Sequence, residues 1–393
     1  MTTVLPLSGL KIIELSNMVT ASLAAMTLAG QGAEVIKVEP LGIGDKLRHF
    51  GSQKAGISGV FNNCNRGKKS LAINLKSATG QDVVRKLILE ADVLIHNYRP
   101  GVMTKLGLNS AELRKTNPKL IVCSLTGFGR KGGLKNAPAF DHVIQAISGI
   151  TGAQGKKGAY EFINMLICDK ITAYTAAQAV TAALVAQART GQGQHIDISM
   201  LAASLAFMWP DGMMHKTLLA DDALHLSPMA DYYQTIKTKD GYIAAAPFGD
   251  EPWQALFKII NRPDLAKNSR FATLQSRGKH ISELLDEFAT MEITQTTDEL
   301  LSAMQAADIP CAPCLGLDEL AENDQISAIG ATELQNHPHL GLVHMAANPV
   351  HFRGEVPVSL GPSPLLGEHT EQILSACGYN EIEMSQMRQK NIV

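Results

Sequence analysis

The sequence predicts an α/β protein: a large Rossmann-like domain built on a doubly wound parallel sheet, with a smaller α+β domain. Three observations carry this. Buried-strand runs alternate with helical stretches through roughly the first 150 residues, the signature of βαβ units. The chain has 393 residues, more than one core normally spans. After about residue 205 the texture turns loop-rich before strand and helix patterns resume. The expected domains are residues 1–224 for the first part of the large domain, 225–325 for the small one, and 326–393 for a return to the large one.

The elements follow in order. LKIIEL (10–15) is a buried-strand run, and TASLAAMTLAGQG (20–32) is helical, with Gly30 and Gly32 at its end. AEVIKVE (33–39) and SLAINL (70–75) are strands. Residues 77–91 form a helix with Ser77 as N-cap. DVLIHNY (92–98) is a strand, 109–118 a short helix, and KLIVCSLTGFG (119–129) a strand entering a glycine loop. An Ala-rich helix over 170–188 stops at Gly191 and Gly193, and HIDISM (195–200) alternates as a strand. A hairpin is expected around Lys239-Asp240-Gly241, helices at 251–260 and 281–305, and a terminal helix.

Composition narrows the function. A net charge of −2 gives no general attraction for nucleic acid or anionic membranes. No apolar run reaches spanning length, and the start lacks a signal-peptide pattern, so a cytoplasmic protein is expected. Six cysteines are too few for a disulfide scaffold of this length. Cys311-Ala-Pro-Cys314 has no second pair at zinc-finger spacing, and its prolines suggest a turn entering a strand. HPHLGLVH (337–344) clusters three histidines in a turn-rich stretch, which reads as surface; no metal is expected. There is no GxGxxG after the first strand, no Walker motif and no GxSxG elbow.

In a doubly wound sheet, ligands bind beyond the carboxyl ends of the strands. That singles out loops 16–22, 39–48, 97–105 and 126–142. Arg99 and Lys105 lie where phosphates are received, although both also fit solvated surface charge. Lys37, inside EVIKVE, is unusual for a central strand and suggests an edge or a snorkelling stem. Asp169 precedes the Ala-rich helix. Its ordinary role is an N-cap worth about 1 kcal/mol. A carboxylate held ionised by a helix dipole in a dry site is also a possible nucleophile. The local pattern does not choose between these.

Ten stretches together resemble the family III CoA-transferases, the formyl-CoA and carnitine CoA-transferase type. They include LSGLKIIELS, GQGAEVIKVEPLGIGDKLR, NRGKKSLAINLKSATGQ, ADVLIHNYRPGVMTKLGL, PAFDHVIQAISGITG, ICDKITAYTAAQAVTAAL and SPLLGEHTEQIL, in family order over nearly the whole chain. The resemblance implies an interlocked homodimer and no tightly bound cofactor. It implies CoA thioesters and carboxylic acids as substrates. It places the nucleophile on Asp169, and CoA contacts on the INLK stretch from Ile73 to Lys76 and on Asn97, Tyr98, Arg99 and Lys105. Two departures stand out. MVTAS replaces a pattern similar to VQAGP, putting Val19 in place of Gln and Ala21-Ser22 in place of Gly-Pro. No four-glycine run follows residue 200, and PDGMMHK (210–216) is the nearest candidate for that mobile loop. Both argue against formyl-CoA and oxalate as substrates. Two alternatives remain. One is an acyl-CoA racemase of the same fold, whose catalytic His position is held here by Phe140, with His142 two residues on. The other is a non-catalytic CoA-binding protein.

Overall fold

The computed structural model describes residues 5–155, 158–223, 233–352 and 359–393. The chain divides into two compact units, Met1–Phe207 with Ala328–Val393, and Met208–Ser327.

The first unit begins with β1 (Lys11–Leu15), α1 (Val19–Ala29) and β2 (Glu34–Glu39). A small ribbon, β3 (Gln53–Lys54) and β4 (Ile57–Ser58), leads to α2 (Gly59–Asn65). Then come β5 (Lys69–Ala72), α3 (Ala78–Leu89), β6 (Val93–His96), α4 (Val102–Lys105), α5 (Ser110–Thr116) and β7 (Ile121–Thr126). α6 (Asp141–Ile147), α7 (Ile150–Gln154), α8 (Ile167–Thr190), β8 (His195–Ser199) and α9 (Met200–Gly212) follow. Ser77 caps α3, its hydroxyl accepting from the Gly80 amide, as the sequence predicts.

Six strands form one sheet in the order β5-β2-β1-β6-β7-β8, and every adjacent pair is parallel. Numbered by chain order within the sheet this is 3-2-1-4-5-6, the Rossmann order. The strand order reverses between β1 and β6, and their carboxyl ends open the crevice where ligands sit in such sheets.

Side chains alternate across the strands. Ile12 joins a core with α1 and α8, while Ile13 and Leu15 join a second core with α3 and α5 on the opposite face. One connection departs from the regular plan. The steps β5-α3-β6, β6-α5-β7 and β7-α8-β8 all advance in the same direction along the sheet. Yet α8 covers the face opposite α3 and α5, against α1. Its crossover therefore has the opposite hand to the usual right-handed βαβ unit. The long connection 127–166 gives the chain enough length to reach that face. Alanines on both helices (Ala21, Ala24 and Ala25 on α1; Ala173, Ala176 and Ala177 on α8) are buried in this shared core, and small side chains permit close packing.

Lys37 is neither at an edge nor snorkelling. β2 is an interior strand, and Lys37 is fully buried. Its register partner on β1 is Glu14, and Lys37 Nζ bonds Glu14 Oε1 at 2.6 Å and Asp45 Oδ2 at 2.8 Å. Lys68 Nζ holds the other Glu14 oxygen at 2.7 Å. Burial acts to raise the Glu14 pKa, but Lys37 and Lys68 outweigh it and bring it down to about 2.

The second unit contains α10 (Met214–Thr217), then β9 (Thr235–Lys237) and β10 (Tyr242–Ala245), the antiparallel hairpin expected around 239–241. α11 (Asp250–Ile259), α12 (Pro263–Lys267), α13 (Leu274–Lys279), α14 (Ile281–Ala289) and α15 (Thr297–Ala306) precede β11 (Cys311–Pro313), which pairs with β10. The stretch expected as one helix over 281–305 is two, because Thr296 and Glu299 form a capping box that starts a new helix. Residues 210–216 lie largely in α9 and α10 rather than in a glycine loop. α16 (Asp324–Ala328) comes next in the chain.

In the closing part of the first unit, β12 (Thr332–His337) and β13 (Gly341–Ala346) form a hairpin. Of the clustered histidines, His339 lies in the hairpin turn and His344 is exposed on β13, as a surface cluster would be, whereas His337 ends β12 and is buried against Ser363. α17 (Thr370–Ala376) and α18 (Glu381–Gln389) follow, the latter being the terminal helix expected. Among the described residues, no group of side chains could hold a metal ion, and no helix is long and apolar enough to cross a membrane.

Candidate active site

A cavity of about 360 Å³ opens at the carboxyl edge of the sheet. All four loops singled out from the sequence contribute: Asn17, Met18 and Thr20; Lys46; Asn97 to Pro100; and Thr126 to Phe140 in part. Asp169 is the one carboxylate in its lining.

Asp169 is not the N-cap of α8. It is the third helical residue; Leu166 occupies the cap position and makes no side-chain cap bond. The capping comes from another helix. Asp141, the first residue of α6, accepts from the Asp169 amide through Oδ2 at 2.9 Å. Gln145, one turn along α6, donates to Asp141 Oδ1 at 2.7 Å and accepts from the Ile163 amide at 3.0 Å. It therefore fixes the approach to α8. With its amide satisfied from outside, Asp169 keeps its carboxylate for other work.

That carboxylate is buried and accepts a hydrogen bond on Oδ1 from Thr20 Oγ1 in the first turn of α1. Burial pushes its pKa up, the Thr20 bond partly opposes this, and the negative charge of Asp141 adds to the rise; the result is about 6. The expectation that the helix end keeps it firmly ionised is corrected. Desolvation outweighs the helix end, and the group titrates just below neutrality.

The loop bearing Thr20 is held rigidly. Met18 sits at φ 68°, a strained conformation for a residue with a side chain. Its amide donates to Asp45 Oδ1 at 2.9 Å, and Asp45 is in turn paired with the buried Lys37. On the other side of the crevice, the Asn97 side chain exchanges two bonds with the Asn17 backbone, at 2.6 and 3.1 Å. Asn97 thus staples the β1 and β6 loops together.

The other expected ligand contacts divide. Asn97, Tyr98 and Arg99 line the cavity with Asp169. Ile73 is a fully buried core residue whose side chain faces away from solvent, and Lys76 and Lys105 are exposed outside the cavity lining. Sequence reasoning missed Lys46, Lys135, Thr20 and Asp141. All four lie in the singled-out loops, and a charged or hydroxyl residue there is the available signal. Arg99, Lys46 and Lys135 line the same cavity as Asp169 and form no ion pair among the described residues. A smaller cavity of about 110 Å³ adjoins through Tyr98, Arg99, Pro100 and Thr126. Phe140 lines the main cavity and His142 does not.

The sequence model of CoA-transferase family III matches residues 7–370. The chain belongs to CoA-transferase family III. Similar family III proteins include the succinyl-CoA:glutarate CoA-transferase of Mus musculus, 30% identical over 94% of this chain and 86% of the mouse protein. The acetyl-CoA:oxalate CoA-transferase of Acetobacter aceti is 31% identical over 89% of this chain and 90% of its own length. A CAIB/BAIF family protein from Brucella suis has the same fold, with a TM-score of 0.82 and 29% identity, covering 95% of this family III chain and all of that one.

Proposed function

We propose that this CoA-transferase moves CoA from an acyl-CoA thioester to a free carboxylic acid, with Asp169 as nucleophile. The observation that carries the reading is a single buried carboxylate, restrained on one oxygen, within a cavity rimmed by unpaired cations. Asp169 attacks the thioester carbonyl, the C–S bond breaks, and CoA leaves as thiolate from a mixed anhydride. The thiolate attacks the aspartyl carbonyl and expels the donor acid, leaving CoA on Asp169 as a thioester. The acceptor carboxylate then runs the two steps in reverse order. Covalent catalysis divides one exchange of partners into easier steps. Burial keeps water from the anhydride and the thioester, both of which hydrolyse.

Arg99, Lys46 and Lys135 supply charge for the CoA phosphates and for the incoming carboxylate. A short dicarboxylate acceptor fits this cation-rich lining and the glutarate in a relative's name. We place the working unit as an interlocked homodimer. Phe140, Val143, Ile147, Tyr160, Phe162, Met165 and Leu166 are all exposed within one stretch of the first unit, more apolar surface than a monomer ordinarily leaves wet. Sedimentation at micromolar concentration checks this, with a monomer as the refuting result. Six unpaired cysteines suit a reducing cytoplasm.

The test of function is direct. The enzyme is incubated with a panel of acyl-CoA donors and acids, and new thioesters are scored by mass. Hydroxylamine is then used to trap the adduct, which is expected on Asp169; transfer without any such adduct refutes the aspartyl route. Arg99→Ala is expected to raise the KM for the CoA ester by about tenfold with little change in kcat, the pattern of lost uniform binding. An unchanged KM removes Arg99 from the site.

A further inference from the structure

The loop that departs from the family pattern places a hydroxyl on the nucleophile. In MVTAS, Thr20 stands where the VQAGP-like pattern has Ala. Thr20 is buried, yet it borders the cavity beside Asp169, and its Oγ1 donates to Asp169 Oδ1 across 149 residues of sequence. A Thr hydroxyl has one proton to give. Here it is given to one specific oxygen of the reacting carboxylate.

We infer that Thr20 is a catalytic residue: its O–H holds Oδ1 of Asp169 so that Oδ2 attacks, and then stabilises the oxyanion that forms on Oδ1. This rests on the reading of Asp169 as nucleophile. In the first step an Oδ2 lone pair forms the bond to the thioester carbon, and the thiolate departs with the C–S electrons. Oδ1 is now the carbonyl oxygen of the anhydride. When the thiolate attacks the aspartyl carbon, the C=O electrons move onto Oδ1, where the Thr20 proton already points. Collapse restores the carbonyl and expels the donor carboxylate, which carries Oδ2 away. The acceptor carboxylate attacks the same carbon, and negative charge again develops on Oδ1. One prepositioned donor thus serves both halves of the exchange, without reorganisation at the moment of reaction.

The bond has a second, independent consequence. By favouring the charged carboxylate it offsets part of the burial effect, so removing it moves the titration of Asp169 upward.

The experiment compares Thr20→Val, which keeps the shape and loses the hydroxyl, with Thr20→Ser, which keeps the hydroxyl. Thr20→Val is expected to lower kcat by about a hundredfold, the usual effect of deleting one oxyanion donor, with the CoA-ester KM little changed. The acid limb of its kcat/KM profile moves to higher pH. Thr20→Ser restores both. Should Thr20→Val fold poorly, Thr20→Ala removes the same hydroxyl. Wild-type kcat and acid limb in a folded hydroxyl-free variant overturn the inference, as does a Thr20→Ser enzyme as slow as Thr20→Val. Trapping the Asp169 adduct in wild type keeps the two readings apart. Its absence defeats the nucleophile itself, whereas its presence with an unaffected Thr20→Val defeats the role of Thr20 alone.

Discussion

Asp169→Asn is expected to abolish CoA transfer and, at neutral pH, to make the protein more stable. The first effect follows from the proposed role of Asp169 as nucleophile. An amide oxygen does not displace a thiolate, and removal of a covalent nucleophile lowers kcat by more than about 10⁴-fold. The second follows from burial. The folded-state pKa of Asp169 is raised from the ordinary 3.8 to about 6, so the folded protein binds the proton more tightly than the unfolded chain does. The stability linked to this group is fully present below pH 3.8 and is lost as pH rises through 6. At pH 7.5 the ionised carboxylate costs about 2–3 kcal/mol. Asn carries no charge, still accepts from Thr20, and leaves the cap on the Asp169 amide to Asp141. Urea unfolding of the two proteins should therefore differ at pH 7.5 and converge below pH 4. Coincident midpoints at pH 7.5 would show that Asp169 is not held ionised against its surroundings. The same titration sets the wild-type rate: kcat/KM falls as pH drops below about 6, where the nucleophile takes up its proton.

Lys37→Met is expected to be the most damaging substitution away from the cavity. Met matches the length of the stem and cannot pair. Asp45 then loses its buried cation, and Glu14 is left with Lys68 alone. Breaking a buried ion pair by removing one partner costs about 3–5 kcal/mol. The damage reaches the site, because Asp45 also holds the Met18 and Leu47 amides, and Met18 shapes the loop that presents Thr20. Activity should fall in a protein that still folds at low temperature, with a urea midpoint well below that of wild type. The ordinary acid dependence of Glu14 supports the assignment. Its pKa is lowered from 4.5 to about 2, so its contribution is present above pH 4.5 and disappears as pH falls toward 2. A midpoint for Lys37→Met equal to that of wild type would mean that the network adds nothing.

Much of this architecture was readable residue by residue. Short continuous apolar runs, bounded by turn signals and alternating with helical stretches, locate the six sheet strands, because parallel strands are buried on both faces. The loops beyond their carboxyl ends, legible from the same pattern, all contribute to the cavity. Lys37 reads locally as an edge or a snorkelling stem, and Asp169 reads locally as a cap or a nucleophile. A single residue shows its charge and its place in an element, but not its partners. Lys37 looked like an edge because its neutralising groups, Glu14 and Asp45, belong to another strand and a loop. Asp169 looked like a cap because its true environment comes from α1 and α6.

The sequence alone therefore determined the sheet, its parallel winding, its ligand-bearing edge and the family pattern around Asp169, since each depends on local periodicity or on motifs read in chain order. The tertiary structure decided the site. Regular right-handed connections would have put α8 with α3 and α5, on the far face from α1. The connection 127–166 carries it to the other face, where buried alanines of α1 and α8 share one core. That packing sets the hydroxyl of Thr20 on the carboxylate of Asp169, a contact between two residues 149 positions apart. No periodicity encodes it, because it arises from which face of the sheet a helix covers.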